Sequence, residues 1–285
     1  MMIADSYNVV FYNTPFEEYK INGKSVFVKR DDISVVPPGP PLSKIRGVLS
    51  KLHAIKRVNR HAVVLVQDDG HSVMGWGTAH ACKNLGLKCY NAYPVYMREI
   101  ENDFSHKLRT AQSNAKELGA VLIPIPAGRF IIMLSKAKEY MDRFEPRTCY
   151  FVQDKDLDWY LMHANSIEAG LHTPSELRCG TWILPASKGT SATGVIQGLI
   201  NYSIHYVVYS THSRNLDRLF KWMLDRIKKE PDWEFVDEQK YAYVDSVEHP
   251  CPFPASEFYD LKAWKWLESN IKQLKEPVIF WNIGA

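Results

Sequence analysis

The stretch WILPASKGTSATG, residues 182–194, decides the fold more than any other part of this chain. Its first three residues have the apolar composition of a buried strand, and Ala192 opens a segment of helical periodicity that runs to residue 202. A loop of small and hydroxylated residues with one lysine lies between them. A strand that leads through such a loop into a helix is half of a βαβ unit, the building block of α/β proteins.

The same alternation continues on both sides of this stretch. Predicted strands occupy residues 26–28, 63–66, 121–125, 206–209 and 278–281. Predicted helices occupy residues 44–55, 75–85, 104–118, 135–143, 215–228 and 258–274. Strands that alternate with helices of this length predict an α/β protein with a mainly parallel sheet.

Composition limits the class of protein. The chain has 285 residues, 46% of them hydrophobic, which is enough to bury a substantial core and excludes a disordered protein. Its 35 basic and 32 acidic side chains give a net charge of only +3, which argues against a dedicated nucleic-acid-binding protein. The amphipathic basic segment 214–229 is interpreted as a surface helix, with contact to a nucleic acid as the minority alternative.

Several patterns are missing from the sequence. The five cysteines include no C-x-x-C pair, and the ten histidines show no metal-ligand spacing, so we expect no metal site and a reducing compartment. The chain start lacks a signal-peptide pattern, and no apolar run reaches the ~20 residues that span a bilayer. We therefore expect a cytoplasmic protein without a membrane partner.

The loop within the opening stretch predicts an anion site. Ser187, Gly189, Thr190 and Ser191 would offer hydroxyl and backbone N–H groups at a helix N-terminus, and Lys188 would add a positive charge. The loop lacks the order of a Walker A motif, so it does not identify a nucleotide-binding ATPase. A simple capped helix start remains the alternative interpretation. If a ligand binds there, phosphate is the group that suits the loop best.

Further short motifs are distributed along the whole chain. Near the start come Thr14-Pro15, then the sequence KRDD at residues 29–32, then SKIR at residues 43–46, in which Ser43 is a predicted helix cap. His71-Ser72-Val73 opens the next helix, which closes on KNLGL at residues 83–87. The later segments are YDLKA at residues 259–263 and WNIGA at residues 281–285.

In this order, the motifs and the loop resemble the fold-type-II pyridoxal-phosphate (PLP) enzymes. The similar branch is that of aminocyclopropane-carboxylate deaminase and D-cysteine desulfhydrase. The resemblance implies two α/β domains with mainly parallel sheets and the cofactor in the cleft between them. Residues 1–45 and 163–285 would form the large PLP-binding domain, and residues 46–162 the small domain. We also expect a homodimer.

The resemblance implies a role for each matched residue. Lys44 would form the Schiff base with PLP and then act as the base at the α-carbon. Residues 187–191 would bind the phosphate of the cofactor. Ser72 would bind a substrate carboxylate or relay a proton, and Tyr259 would border the substrate face of the ring. Asp260 would face the pyridine nitrogen and keep it protonated.

The sequence departs from the family pattern at several positions. Val73 stands where the family has an asparagine, Ile283 replaces a threonine, and the phosphate loop has gained Lys188 at the expense of a glycine. If they face the substrate, Asp68 and Asp69 would repel small acidic amino acids. The motifs that would hold the cofactor therefore match the family pattern better than the motifs that would recognise the substrate.

Three functions remain open at this point. The leading hypothesis is a PLP-dependent lyase or deaminase that acts at the α-carbon of an amino acid or an amino-acid-like small molecule. The alternative is a PLP-dependent decarboxylase or modifying enzyme that acts on an aminoacyl group carried by a nucleotide or nucleic acid. Val73, Asp68, Asp69 and the basic segment motivate this alternative. A second alternative is a protein with the PLP fold that binds without turnover.

Overall fold

The computed structural model describes residues 13–68, 72–95, 109–145, 147–211, 216–242 and 245–284. The strands in these ranges are β1 Phe16–Ile21, β2 Lys24–Arg30, β3 Val63–Gln67, β4 Lys88–Val95, β5 Val121–Pro126, β6 Cys149–Phe151, β7 Gly180–Ala186, β8 Ile204–Ser210, β9 Asp232–Val236 and β10 Val278–Asn282. The α-helices are α1 Ile45–Val58, α2 Met74–Leu85, α3 Thr110–Glu117, α4 Phe130–Phe144, α5 Leu157–His172, α6 Thr190–Leu199, α7 Leu216–Ile227 and α8 Asp260–Asn270.

These elements form two compact units. Among the described residues, one unit contains 36–40 and 48–157, and the other contains 13–35, 41–47 and 158–284. We call them the four-stranded unit and the six-stranded unit, after their sheets. The α/β class predicted from the alternating pattern is confirmed.

The six-stranded sheet has the order β1-β2-β10-β7-β8-β9. Only β1 and β2 are antiparallel, and the other neighbouring pairs are parallel. Helices α6 and α7 pack on one face through residues such as Val195 and Met223, whereas α8 covers the other face through Trp264 and Leu267. The strands alternate their side chains between these faces: Trp182 lies on the first face and Ile183 on the second. Both faces are apolar, as expected for parallel strands buried on both sides.

The four-stranded sheet has the order β5-β4-β3-β6 and is parallel throughout. Helix α4 lies on one face, with Met133, Ala137 and Met141 packed against β3 and β4. Helix α2 packs against the same two strands and contacts α3. All five residues of β3 are buried, which explains why its first four residues form an apolar run; the fifth is the buried polar residue Gln67.

Basic segment 214–229 largely coincides with α7, whose apolar residues Leu219, Met223 and Ile227 are buried. The interpretation as a surface helix with a core-facing apolar stripe is therefore confirmed for its described part. No helix in the described ranges has both the length and the apolar character needed to cross a membrane.

Candidate active site

Two loops meet at the carboxyl edge of the six-stranded sheet. Strand β7 leads to residues 187–189, and its neighbour β10 leads to Ile283 and Gly284. The connection that follows β7 runs along one face of the sheet, whereas α8, which precedes β10, packs on the other face. Ligands of open α/β sheets bind outside the carboxyl ends of the strands at such a topological switch point. We therefore place the candidate active site at this edge.

The loop after β7 has the backbone of an anion cradle. Gly189 is the N-cap residue of α6 and has a left-handed φ of 87°. An added Cβ at this position would lie 2.9 Å from Leu219 Cδ1 and 3.0 Å from Met223 Cγ, so a side chain here would be strained by the backbone conformation and would need both neighbours to shift. The Thr193 N–H and hydroxyl both donate to the Gly189 carbonyl at 2.8 Å, which closes the first turn of the helix.

Hydroxyl groups line the same turn. Thr190 and Ser191 are buried, and Ser191 Oγ has no hydrogen-bond partner in the described part of the chain. A buried hydroxyl without a partner costs free energy unless a ligand satisfies it. Ser187 is half-buried. Lys188 is exposed, and its ammonium lies 2.5 Å from Asp158 Oδ2 at the start of α5. The Lys188 charge is therefore already paired, which weakens the predicted contribution of this residue to anion binding.

Lys44 lies in the turn before α1 and is half-buried. The residue before it is fixed to β10, because the Ser43 N–H donates to the Ile283 carbonyl at 2.9 Å. Leu42 forms a bridge with Gly284. Ser43 does not cap the helix as predicted: its hydroxyl is buried without a partner in the described residues. Lys44 therefore lies beside the loop that follows β10. The Ser43 hydroxyl is the second buried hydroxyl of this site, after that of Ser191, without a partner in the described residues.

A buried cluster of charges supports this turn. Arg46 Nη1 lies 2.6 Å from Asp31 Oδ1, and Lys29 Nζ lies 2.6 Å from Glu168 Oε1. The Thr14 hydroxyl donates to Asp31 at 2.9 Å. Burial opposes the ionisation of Glu168, but Arg46 and Lys29 hold the pKa of its carboxyl below the usual value. The sequence motifs around Thr14, Lys29 and Lys44 therefore meet in space and fix the start of α1.

Asp260 is the first residue of α8 and is buried. Its Oδ1 accepts a hydrogen bond from the Ile283 N–H at 2.9 Å. Asp260 therefore contacts the loop after β10, the same loop that the residues next to Lys44 contact. Burial raises the pKa of Asp260 to about 8, and the nearby Asp32 carboxylate adds to the shift, while N–H groups of Ile283 and Gly284 oppose it. Tyr259 is the N-cap residue of the same helix and is half-buried.

Ser72 belongs to the four-stranded unit, where it precedes α2. Its Oγ accepts the Met74 N–H at 3.0 Å, and its hydroxyl also bonds to the Asp68 carboxylate. Asp68 further accepts the Gly75 N–H at 2.7 Å, Asn91 Nδ2 at 3.0 Å and Gln112 Nε2 at 3.1 Å. The carboxylate thus takes over the capping of α2, where Val73 provides no cap.

The suggestion that Asp68 would repel an acidic substrate is therefore wrong. This side chain is buried inside its unit, and its oxygens are occupied by four donors. Burial raises the pKa of Asp68, and the four donors oppose the shift. Asp69 and His71 lie outside the described residues.

Sequence reasoning did not identify two residues that shape the site. Glu168 joins Lys29 and Arg46 from a helix that was not predicted, and Asp158 pairs with Lys188. Neither carboxylate belongs to a local motif. Only the three-dimensional arrangement could reveal these contacts, because their partners are 30 to 139 positions away in the sequence.

Comparison with known proteins connects this geometry to a family. A glycyl-dTMP PLP-dependent decarboxylase of Pseudomonas phage M6 is 34% identical over 97% of this chain and 100% of its own length. A crystal structure of an ACC deaminase homologue superposes with a TM-score of 0.73 at 18% identity, covering 97% of this chain and 90% of that one. Diaminopropionate ammonia lyase from Escherichia coli superposes with a TM-score of 0.63 at 12% identity, over 98% and 84%. None of the protein-family profiles matches the sequence.

The fold and the comparisons together define a PLP-dependent α/β enzyme. The chain belongs to the fold-type-II PLP-dependent enzymes. The family, the fold class and the cofactor expected from the sequence motifs are thus confirmed. The residues present fit the cofactor, because the edge offers a glycine cradle, two unsatisfied buried hydroxyls and a buried carboxyl group.

Proposed function

We propose that this enzyme removes the carboxyl group of a glycyl unit carried by a pyrimidine nucleotide. The observation that supports this most is the end-to-end identity with the phage decarboxylase, whose name gives glycyl-dTMP as its substrate. The replacement of the family asparagine by Val73 supports a reaction other than that of the deaminases. This reaction was the alternative in the sequence analysis.

The residues of the six-stranded unit would hold the cofactor. Backbone N–H groups at the start of α6, with the hydroxyls of Ser187, Thr190 and Ser191, would bind its phosphate. The Lys44 amine would bond to its aldehyde carbon. Asp260 would face the pyridine nitrogen, and the positive charge of the protonated ring would stabilise its carboxylate and offset the rise in pKa that burial causes.

The chemistry requires a glycyl unit whose amine and carboxylate are both free. When bound, PLP supplies an electron sink for the pair that the carboxylate leaves on Cα. The Cα–carboxyl bond breaks, CO₂ departs, and a proton is added to Cα, so an amino acid becomes an amine. The Lys44 amine, in its protonated form, would donate the proton that Cα takes up. Within the four-stranded unit, the Asp68 carboxylate fixes the position of the Ser72 hydroxyl, and the role of Ser72 toward a substrate carboxylate stays a prediction of the sequence.

The direct test is incubation of the PLP-loaded protein with glycyl-dTMP. We expect release of CO₂ and formation of one amine per CO₂, and in deuterated water the product should carry one deuterium on the former Cα. A parallel incubation with free glycine controls for the contribution of the nucleotide. If glycyl-dTMP is consumed without CO₂, the proposal is wrong.

A lyase or deaminase reaction on a small amino acid is the second candidate. Tyr259 and Asp260 begin α8 side by side, which is the arrangement that the resemblance to the deaminase branch implies. This candidate predicts ammonia or sulfide from aminocyclopropane carboxylate or D-cysteine, with no CO₂. The two products therefore separate the two candidates in a single set of incubations.

A further inference from the structure

A second buried carboxylate lies beside Asp260 at the edge of the six-stranded sheet. It belongs to Asp32, which follows β2 and exposes 1% of its surface. Asn282, the last residue of β10, donates from Nδ2 to Asp32 Oδ1 at 2.9 Å. The N–H of the next residue, Ile283, donates to Asp260 Oδ1 at 2.9 Å. Two consecutive residues therefore hold both carboxyl groups, close enough that the charge of Asp32 acts on Asp260.

The charge of Asp32 is only partly neutralised. Its partner is Arg30 at the end of β2: Nε lies 3.0 Å from Asp32 Oδ1 and Nη2 lies 2.8 Å from Oδ2, a bidentate pair. The same guanidinium also binds Glu17 of β1, with Nη1 2.6 Å from Oε2. One positive charge thus serves two carboxylates, and water screens the buried Asp32 little. The adjacent carboxylate, Asp31, has a cation of its own, since Arg46 Nη1 lies 2.6 Å from its Oδ1.

Two further titratable groups lie near Asp260, and neither neutralises it. Burial raises the pKa of the Cys251 thiol to about 11, so this group is uncharged at neutral pH. Lys262, in the first turn of the same helix, directs its ammonium to the Thr211 carbonyl at 3.0 Å. An ionised Asp260 would therefore add a second negative charge to that of Asp32. A positive charge on a ligand at this edge would compensate for it.

We propose that Asp32 is a positioning residue whose negative charge, acting with that of Asp260, stabilises the protonated form of the cofactor pyridine ring. The inference rests on the proposed function, because it assumes that the pyridine nitrogen faces Asp260. A neutral ring gains nothing from a second carboxylate, whereas a protonated ring does. The protonated ring is the stronger electron sink, so Asp32 supports the reaction without touching the reacting atoms.

The first test measures the titration of Asp260 in the cofactor-free, full-length protein. The NMR signal of its carboxyl carbon is identified by its loss in Asp260→Asn and is followed as the pH is raised. Burial is the main reason for the high pKa of this group, and Asp32 adds to it. We expect Asp32→Asn to lower the titration midpoint of Asp260 by about one pH unit, since the neighbouring like charge is lost. An unchanged midpoint would overturn the inference.

The second test measures how strongly the site prefers a ring that can be protonated. Binding of PLP is compared by equilibrium dialysis with binding of an analogue that has carbon in place of the pyridine nitrogen. Wild type should bind PLP more tightly than the analogue. Asp32→Asn should lose about tenfold of this preference, the equivalent of one unit of pKa. Wild type that binds both compounds equally would refute the stabilisation of a protonated ring.

Arg30→Gln is the matched variant, because it breaks the same ion pair from the other side. Asp32→Asn and Arg30→Gln both lose this contact, so a merely structural effect would move both in the same direction. An electrostatic effect has opposite signs in the two variants. Without Arg30 the Asp32 charge is unscreened, so the Asp260 midpoint and the preference for PLP should both rise. Parallel changes in the two variants would contradict the inference.

Glu17→Gln changes the same charge balance from the surface. The Glu17 side chain is 37% exposed, so its replacement should leave the fold intact. It should release Arg30 to Asp32 and lower the Asp260 midpoint by less than Asp32→Asn does. If the buried variants do not fold, an unchanged midpoint in Glu17→Gln would exclude the role of Asp32. Opposite shifts in a protein that releases no CO₂ from glycyl-dTMP would refute only the proposed reaction.

Discussion

Two buried carboxyl groups, Asp68 and Asp260, illustrate the difference between the two sheet edges. Both lie at the start of a helix, and burial raises the pKa of both. Asp68 accepts hydrogen bonds from three side chains and one backbone N–H, so its charge is used to build the loop before α2. Asp260 has only backbone N–H donors in the described chain. Asp68 thus joins several side chains of its unit, whereas Asp260 is held by backbone N–H groups alone among the described residues.

Removal of Lys44 should have the largest effect on the six-stranded edge. Lys44→Ala should lower turnover by about 10²–10⁴-fold through the loss of acid–base catalysis alone. Borohydride reduction of the wild type should attach the cofactor to Lys44, as peptide mapping would show. Lys56→Ala, in the helix that follows Lys44, should keep both the label and the activity. A label on Lys51 or Lys56 would contradict the assignment.

Asp260→Asn should reduce the rate by about ten- to a hundredfold, because a charged partner of the ring worth about 1–3 kcal/mol is lost. Rates of α-proton exchange in deuterated water would measure this. Asp68→Asn provides the comparison: it should lower the free energy of unfolding by about 1–3 kcal/mol by placing an amide against existing donors. The PLP absorbance of Asp68→Asn should stay as in wild type. Similar changes of the PLP absorbance in Asp260→Asn and Asp68→Asn would show that the two carboxyl groups do not differ in their relation to the cofactor.

The change of the free energy of unfolding with pH should also reveal the titration of Asp260. Because the folded pKa of Asp260 is about 8, above its value in the unfolded chain, the folded state binds more protons between about pH 4 and pH 8. The free energy of unfolding of the cofactor-free protein should therefore fall as pH rises through this window. In Asp260→Asn this part of the slope should vanish. Thermal unfolding at pH 5 and pH 8 would check it, and an identical slope in both proteins would show that Asp260 is not the titrating group.

Gly189→Ala should weaken PLP binding on the order of tenfold, because a left-handed alanine costs about 1–2 kcal/mol and the loop shifts to relieve it. Gly119→Ala is the control. Gly119 also has a positive φ, of 93°, but an added Cβ there would meet nothing within 4 Å. Both variants should lose stability, and only Gly189→Ala should lose cofactor in equilibrium dialysis.

Lys188→Ala should have the smallest effect, a loss of PLP affinity below about threefold. Its ammonium is exposed and already paired with Asp158, and exposed ion pairs contribute little. Equilibrium dialysis would measure the loss. A loss as large as that of Gly189→Ala would mean that the lysine, and not the backbone, dominates phosphate binding.

The sequence was sufficient to predict the elements whose patterns are local. Every predicted strand, from residues 26–28 to 278–281, lies within an observed strand, and the loop between β7 and α6 was placed correctly. Apolar runs and turn residues determine these features over a few positions. The short motifs at both ends of the chain also identified the family, because their residues and their order can be read from the sequence without knowledge of the fold.

Two of the elements that were not predicted, β4 and α5, contain buried polar residues. Strand β4 has Asn91 in its centre, where a polar side chain breaks the apolar pattern, and only contact with Asp68 explains it. Helix α5 contains buried Asn165 and Glu168, so its periodicity is blurred as well. The function of Asp68 could not be inferred either, since its donors Asn91 and Gln112 are 23 and 44 positions away.

The position of β10 has a consequence for how the enzyme is made. This strand comes last in the sheet by sequence but lies between β2 and β7, where Val278 pairs with Val26. During synthesis, Ile283 and Gly284 must leave the ribosome before Asp260 and the residues next to Lys44 can bind the loop that follows β10. The four-stranded sheet, formed by residues 63–151, can assemble while the rest is still being translated. A nascent chain can therefore form the four-stranded sheet before residues 278–284 complete the edge beside Lys44 and Asp260.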